Sequence, residues 1–223
     1  MATHAIETAR TGGITEMLET LVDSDGSATH PYARSATLLS GRFATRNLAD
    51  AVHYLCVLHG RHPGVIDLAA TRTVHGAARA WLIEAADGFS RERSYLTRLT
   101  VAAGPIPSTP GQAECETAVM GQRHALEMLA QSDRVGCALG AAIALIMDWK
   151  AIRHVLDSAA ERLGIPVQPA KLPDERETRT LAMMVAETGG VERALGFGAQ
   201  QVLAQHRGLW EVLEARQAAR VDY

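Results

Sequence analysis

Apolar and small residues run without a charge from Val135 to Met147, bounded by Asp133 and Arg134 before and by Asp148 and Lys150 after. A helix that is apolar all round must be covered on every side, so this segment belongs at the centre of a bundle. Its thirteen uncharged residues are too few to span a bilayer. Gly136, Gly140 and Ala144 recur at every fourth position, a small-residue stripe that lets another helix backbone approach closely. Beyond Trp149 the pattern has two faces. Lys150, Arg153, His154, Asp157 and Glu161 share one, and Ile152, Val155, Leu156, Ala159 and Leu163 the other. The spacing predicts one central helix over residues 133–163, with Ser132-Asp133 offering its N-cap.

Around it, apolar residues at helical spacing predict further helices. Ile14, Met17, Leu18 and Leu21 start one after Gly12-Gly13, and the Asp23–Gly26 turn stops it. A short helix is expected to end before Gly41. Leu48, Val52, Leu55 and Cys56 form a stripe closed by Gly60, followed by one short turn over 64–70. Long helices are expected over 74–101 and 114–131. Asp174 and Glu177 read as a capping box opening a helix that Gly189-Gly190 ends. A last helix runs over 191–220. No run of alternating apolar residues predicts a strand. The fold class is therefore all-α, a single-domain bundle of about seven or eight helices. The Pro/Gly-rich segment 104–111 is its clearest internal loop and a candidate boundary between two halves of 1–223.

Composition narrows the picture. Hydrophobic residues make up 47% and aromatic residues only 4% of the 223 residues, a globular balance that favours helices over sheets. A net charge of -3 speaks against a nucleic-acid partner. The first ten residues carry no apolar core, so no secretory signal is expected, and no membrane partner either. Cys56, Cys115 and Cys137 form no CxxC pair and fall in apolar phases, which predicts buried free thiols and a cytoplasmic protein.

Phosphate-loop, nucleophile-elbow, zincin and paired-CxxC signatures are all missing. Helical phasing instead aims four ionisable residues into apolar stripes: His59, Glu92, Asp148 and His206. Such groups are costly in a core unless they are paired, neutralised or bound to a metal. Two readings follow. In one, the four converge and hold a divalent transition metal, as helical-bundle sites do. That protein would be a metal-dependent or small-molecule enzyme of ferritin-like or haem-oxygenase-like architecture. It departs from the di-iron pattern, because neither Glu92 nor Asp148 has a histidine three residues later. In the other, the four form internal ion pairs and caps in a binding or interaction module without catalysis, a homo-oligomer built on an amphipathic face. The missing motifs favour the second reading. His124 with Glu127, and Asp50 with His53, have ligand-like spacing but lie on solvated faces or at stripe edges.

The segment RHALEMLAQSDRVGCALGAAIALIMDWKAIR, residues 123–153, resembles an uncharacterised family of all-helical bacterial proteins. The resemblance implies an all-helical fold and carries no activity.

Overall fold

The computed structural model describes residues 2–106 and 111–221. Nine α-helices cover most of them: α1 Ala2–Asp25, α2 Ala36–Leu39, α3 Ala44–His59, α4 Val65–Arg72, α5 Gly76–Ala103, α6 Gln112–Ala130, α7 Cys137–Leu163, α8 Glu175–Val185 and α9 Gly189–Val221. Two 3-10 turns, Ser27–Thr29 and Tyr32–Arg34, join α1 to α2. Among the described residues there is no strand, so the chain is an all-α bundle as its periodicity predicts. None of these helices is long and apolar enough to cross a membrane.

Helix α7 is the axis. Every residue from Cys137 to Ile146 is buried, and α9 is its most extensive neighbour, with α3, α4 and α5 around the rest. The small-residue stripe does what its spacing implies. A Cβ on Gly140 would lie 2.1 Å from the Leu195 carbonyl oxygen. On the partner helix, a Cβ on Gly198 would lie 2.0 Å from the Cys137 carbonyl oxygen. Two interlocked glycines therefore bring the backbones of α7 and α9 together. The contacts advance in the same direction along both helices, so the row Gly140–Ala144–Asp148 faces the row Gly198–Val202–His206. Buried apolar side chains from Ile14 to Leu213 form one cluster.

Helix ends differ from expectation in three places. Helix α7 begins at Cys137 behind Gly136, whose φ of 95° suits a residue without a Cβ. Ser132 instead accepts from the Arg134 backbone N–H, so residues 133–136 are turn. Helix α1 continues through Gly12-Gly13. Helix α8 stops at Val185, and Gly189-Gly190 open α9 rather than end α8. The capping box of Asp174 and Glu177 is present as read. At the far end of α7, Gly164 (φ 68°) lets Ile165 N–H reach the Ala160 carbonyl at 2.9 Å, which turns the chain sharply. The following loop is pressed against α5, where a Cβ on Gly88 would lie 2.1 Å from the Lys171 carbonyl oxygen. Residues 107–110 of the expected inter-half loop lie outside the described residues.

Candidate functional site

The facing rows of α7 and α9 end in a pair of ionisable groups. Asp148 and His206 are 1% and 0% exposed, and His206 Nδ1 lies 2.7 Å from Asp148 Oδ2. His206 Nε2 lies 2.9 Å from His59 Nε2, which the last residue of α3 contributes. The turn after α1 closes the other side of the carboxylate. Ser27 donates its backbone N–H to Asp148 Oδ1 at 2.7 Å and its hydroxyl to Oδ2 at 2.6 Å. Gly26 permits this approach, because a Cβ there would lie 2.8 Å from Asp148 Oδ1. Trp210, one turn beyond His206 on α9, donates its indole N–H to the Ser27 hydroxyl at 2.9 Å. The result is a continuous buried chain: Trp210, Ser27, Asp148, His206, His59.

Each link constrains the next. An Asp148 oxygen that accepts from Ser27 and from His206 requires the proton on His206 Nδ1. One of the two facing Nε2 atoms must then donate and the other accept. Burial alone would push the Asp148 carboxyl up, but His206 and the two Ser27 donors hold it below its ordinary 3.8. Burial, with His206 beside it, pushes His59 well below its ordinary 6.5. Among the described residues the Ser27 hydroxyl is hydrogen-bonded to a carboxylate and an indole and to no imidazole. That is not the arrangement of an activated serine nucleophile.

Glu92 belongs to a second network. It accepts from Trp149 Nε1 at 2.9 Å and from Arg153 Nη1 at 2.8 and 2.9 Å. Arg153 Nε then reaches Asp157 at 2.7 Å, where the Tyr95 hydroxyl also donates at 2.8 Å. Arg153 Nη2 donates to the Gln168 carbonyl of the loop after α7. Among the described residues no hydrogen bond joins the two networks; they meet through the His59 and Trp149 rings, centroids 5.5 Å apart at right angles, and through the neighbouring positions of Asp148 and Trp149 on α7. The four inward residues thus divide: His59, Asp148 and His206 are joined, and Glu92 is paired with Arg153. Among the described residues, no group of three or more His, Cys, Asp or Glu side chains is arranged to hold a metal ion. The geometry gives the reason, since the two Nε2 atoms face each other and Glu92 is turned to Trp149 and Arg153.

Several neighbours differ from their sequence reading. Arg153, placed by phase on the polar face of α7, is buried. Trp149 donates its indole N–H to the Glu92 carboxylate. Ser27 carried no signal beyond its position in a turn. His124 and Glu127 lie 3.9 Å apart, with the His124 side chain 74% exposed, as a solvated face predicts. His53 binds the Gly104 carbonyl at 2.7 Å, and Asp50 turns away to the arginines of α9.

Two cavities flank the buried chain. The larger, about 450 Å³, lies between α1, α7 and α8. Leu18, Val22, Ile143 and Met147 form its apolar wall, and Asp148 borders it from within the core. The smaller, about 30 Å³, lies beside His59, with Arg123 and Glu127 also on its lining. A broader groove of about 710 Å³ adjoins the first along Met147, Lys150, Glu175 and Thr178, under the loop after α7.

The model of a family of unknown function (DUF6975) matches residues 22–221. No curated protein and no solved structure matches the chain.

Proposed function

The chain belongs to this family of unknown function (DUF6975), and we propose that it is a binding module without catalytic activity. On this reading its ligand is a small molecule with an apolar body and a polar head, held between α1, α7 and α8. The observation that supports the reading is the cavity of about 450 Å³ on that side of the bundle, within the range of about 300–1,000 Å³ usual for ligand pockets. Its lining joins an apolar wall to a rim rich in charged groups, Glu19, Asp23, Lys150, Glu175 and Arg179 among them. Glu19 pairs with Arg179 at its rim, and Lys150 lies 4.0 Å from Glu175. The Asp148–His206–His59 chain supports α7 and α9 behind this wall as a hydrogen-bonded structural network.

The test is native mass spectrometry of the gently purified full chain, beside thermal shift against a metabolite library. A bound small molecule, or a library member that raises the melting temperature, is expected with the natural chain. It should be lost in Ala151→Trp, which fills the lining of the cavity. No adduct and no stabilising compound, or the same response in Ala151→Trp, would overturn the reading.

The second reading is a divalent transition metal at His59, Asp148 and His206, with Glu92 nearby, serving metal-dependent chemistry. It is favoured by the bonding of two histidines and an aspartate in one buried chain. A near-stoichiometric metal in protein purified without chelator, lost in His206→Ala but kept in Ala151→Trp, would raise it above the first. Self-association is carried with the first reading, and sedimentation velocity at two concentrations tests it.

A further inference from the structure

At the far end of α9 a second buried charge cluster is left incomplete. Arg216 is 2% exposed, and its Nε lies 3.2 Å from Asp50 Oδ2 on α3. Arg220 Nη1 lies 2.5 Å from the same oxygen, and Arg220 Nη2 donates to Asn47 Oδ1 at 2.8 Å. Two guanidinium groups therefore crowd one carboxylate oxygen. Neither contact with Asp50 has the alignment of a hydrogen bond, and among the described residues Arg216 Nη1 and Nη2 have no well-aligned acceptor, the buried Cys115 thiol being the weak sulfur neighbour of the guanidinium. The Tyr54 hydroxyl is buried and unpartnered beside them, with the Arg216 guanidinium carbon 5.9 Å from its ring centroid.

A buried guanidinium cannot lose its proton, and leaving its donors unsatisfied is costly. Among the described residues, Asp50 is the one carboxylate within ion-pair distance of either guanidinium. Other acidic groups on the packed elements are Glu114 and Glu116 of α6 and Glu214 of α9. None of them lies within ion-pair distance of Arg216. Burial pushes the Tyr54 hydroxyl up to about 12, against the pull of Arg216, so it stays a donor at neutral pH. The site thus offers a forked donor pair, a phenol donor and, among the described residues, two guanidinium charges against one carboxylate.

We propose that Arg216 and Tyr54 bind a small inorganic anion, chloride or phosphate, between α3, α6 and α9. The fork of Nη1 and Nη2 suits an acceptor with one or two lone-pair oxygens or a single halide. The anion completes the charge balance and ties the end of α9 to the bundle.

The experiment follows thermal unfolding of the full chain at fixed pH and ionic strength, as sodium gluconate is replaced by sodium chloride or by sodium phosphate. Gluconate is too large for a buried position, so it serves as the background anion. A saturable rise in the melting temperature with chloride or phosphate is expected, and the anion that acts identifies the ligand. In Tyr54→Phe the half-saturating concentration should rise at least several-fold, and Arg216→Met should abolish the response. If Arg216→Met does not fold, the wild-type titration and Tyr54→Phe decide between them. Identical melting in all three salts would overturn the proposal, and the buried donors would then be satisfied by water. An anion response unchanged in both variants would overturn it as well, since the binding would lie elsewhere.

Discussion

His206 donates to Asp148 across the α7–α9 contact at 2.7 Å, and neither side chain reaches solvent. Removing either partner strands the other in the core. Asp148→Ala and His206→Ala should each lose about 3–5 kcal/mol in urea unfolding, against under about 1 for a surface pair. The double variant should lose clearly less than the sum, because the second removal has nothing left to break. Two mild and strictly additive effects would show that the pair contributes nothing as a unit.

Glu92 shares no hydrogen-bond partner with that pair. Glu92→Gln should still be destabilising, toward the lower end of about 3–5 kcal/mol, since Arg153 keeps Asp157. Combined with Asp148→Asn, its cost should add to within about 0.5 kcal/mol. A larger coupling would mean that the ring contact of His59 with Trp149 carries energy between the networks, and the four residues would then act as one site.

The burial of His59 has a signed consequence for pH. Its imidazole sits well below 6.5 when folded and near 6.5 when unfolded, so on acidification the unfolded chain takes up the proton first. Its contribution is present in full above pH 6.5 and is lost as pH falls below that value. His30 is lowered by burial too and adds in the same direction. Urea midpoints measured from pH 7.5 to 5.5 should therefore fall, each histidine giving up to about 1.4 kcal/mol per pH unit. His59→Gln should flatten part of that slope. A slope unchanged in this variant would place the proton uptake elsewhere. Asp148, also depressed, acts only below 3.8.

These networks mark how far periodicity reaches. It placed α7 at the centre and aimed His59, Asp148, Glu92 and His206 inward, because an apolar stripe reveals any polar residue that interrupts it. It could not say which of the four meet, since that depends on how helices distant in sequence cross. Arg153 was missed because a long side chain can leave a polar face and bury its head. Ser27 was missed because a turn residue has no phase. Arg216 was legible in principle. It follows Leu209 and Leu213 at helical spacing, so the stripe that exposed His206 continued into the buried arginine. The helix starts at Gly136 and Gly189 went astray for a different reason, since a glycine can end one helix or begin the next.

The glycine pair gives the sharpest test of the architecture. Gly140 and Gly198 each face the other helix's backbone at distances where a Cβ cannot fit: 2.1 Å to the Leu195 oxygen and 2.0 Å to the Cys137 oxygen. Backbone cannot swing aside as a flexible side chain can, so α7 and α9 must separate to admit even one methyl group. Overpacking of this kind costs about 1–3 kcal/mol and sometimes more, outweighing the roughly 1 kcal/mol that alanine gains over glycine in helix propensity. Gly140→Ala should therefore lower stability, and Gly140→Leu should lower it further. Gly121 is the internal control. It too lies within a helix, α6, but a Cβ there meets nothing within 4 Å, so Gly121→Ala should raise stability by roughly the propensity difference. Separating α7 from α9 would also part Asp148 from His206, so Gly140→Leu should shrink the coupling measured between those two residues. If Gly140→Ala and Gly121→Ala both stabilise the protein, the close crossing of α7 and α9 is wrong, and so is the buried chain that depends on it.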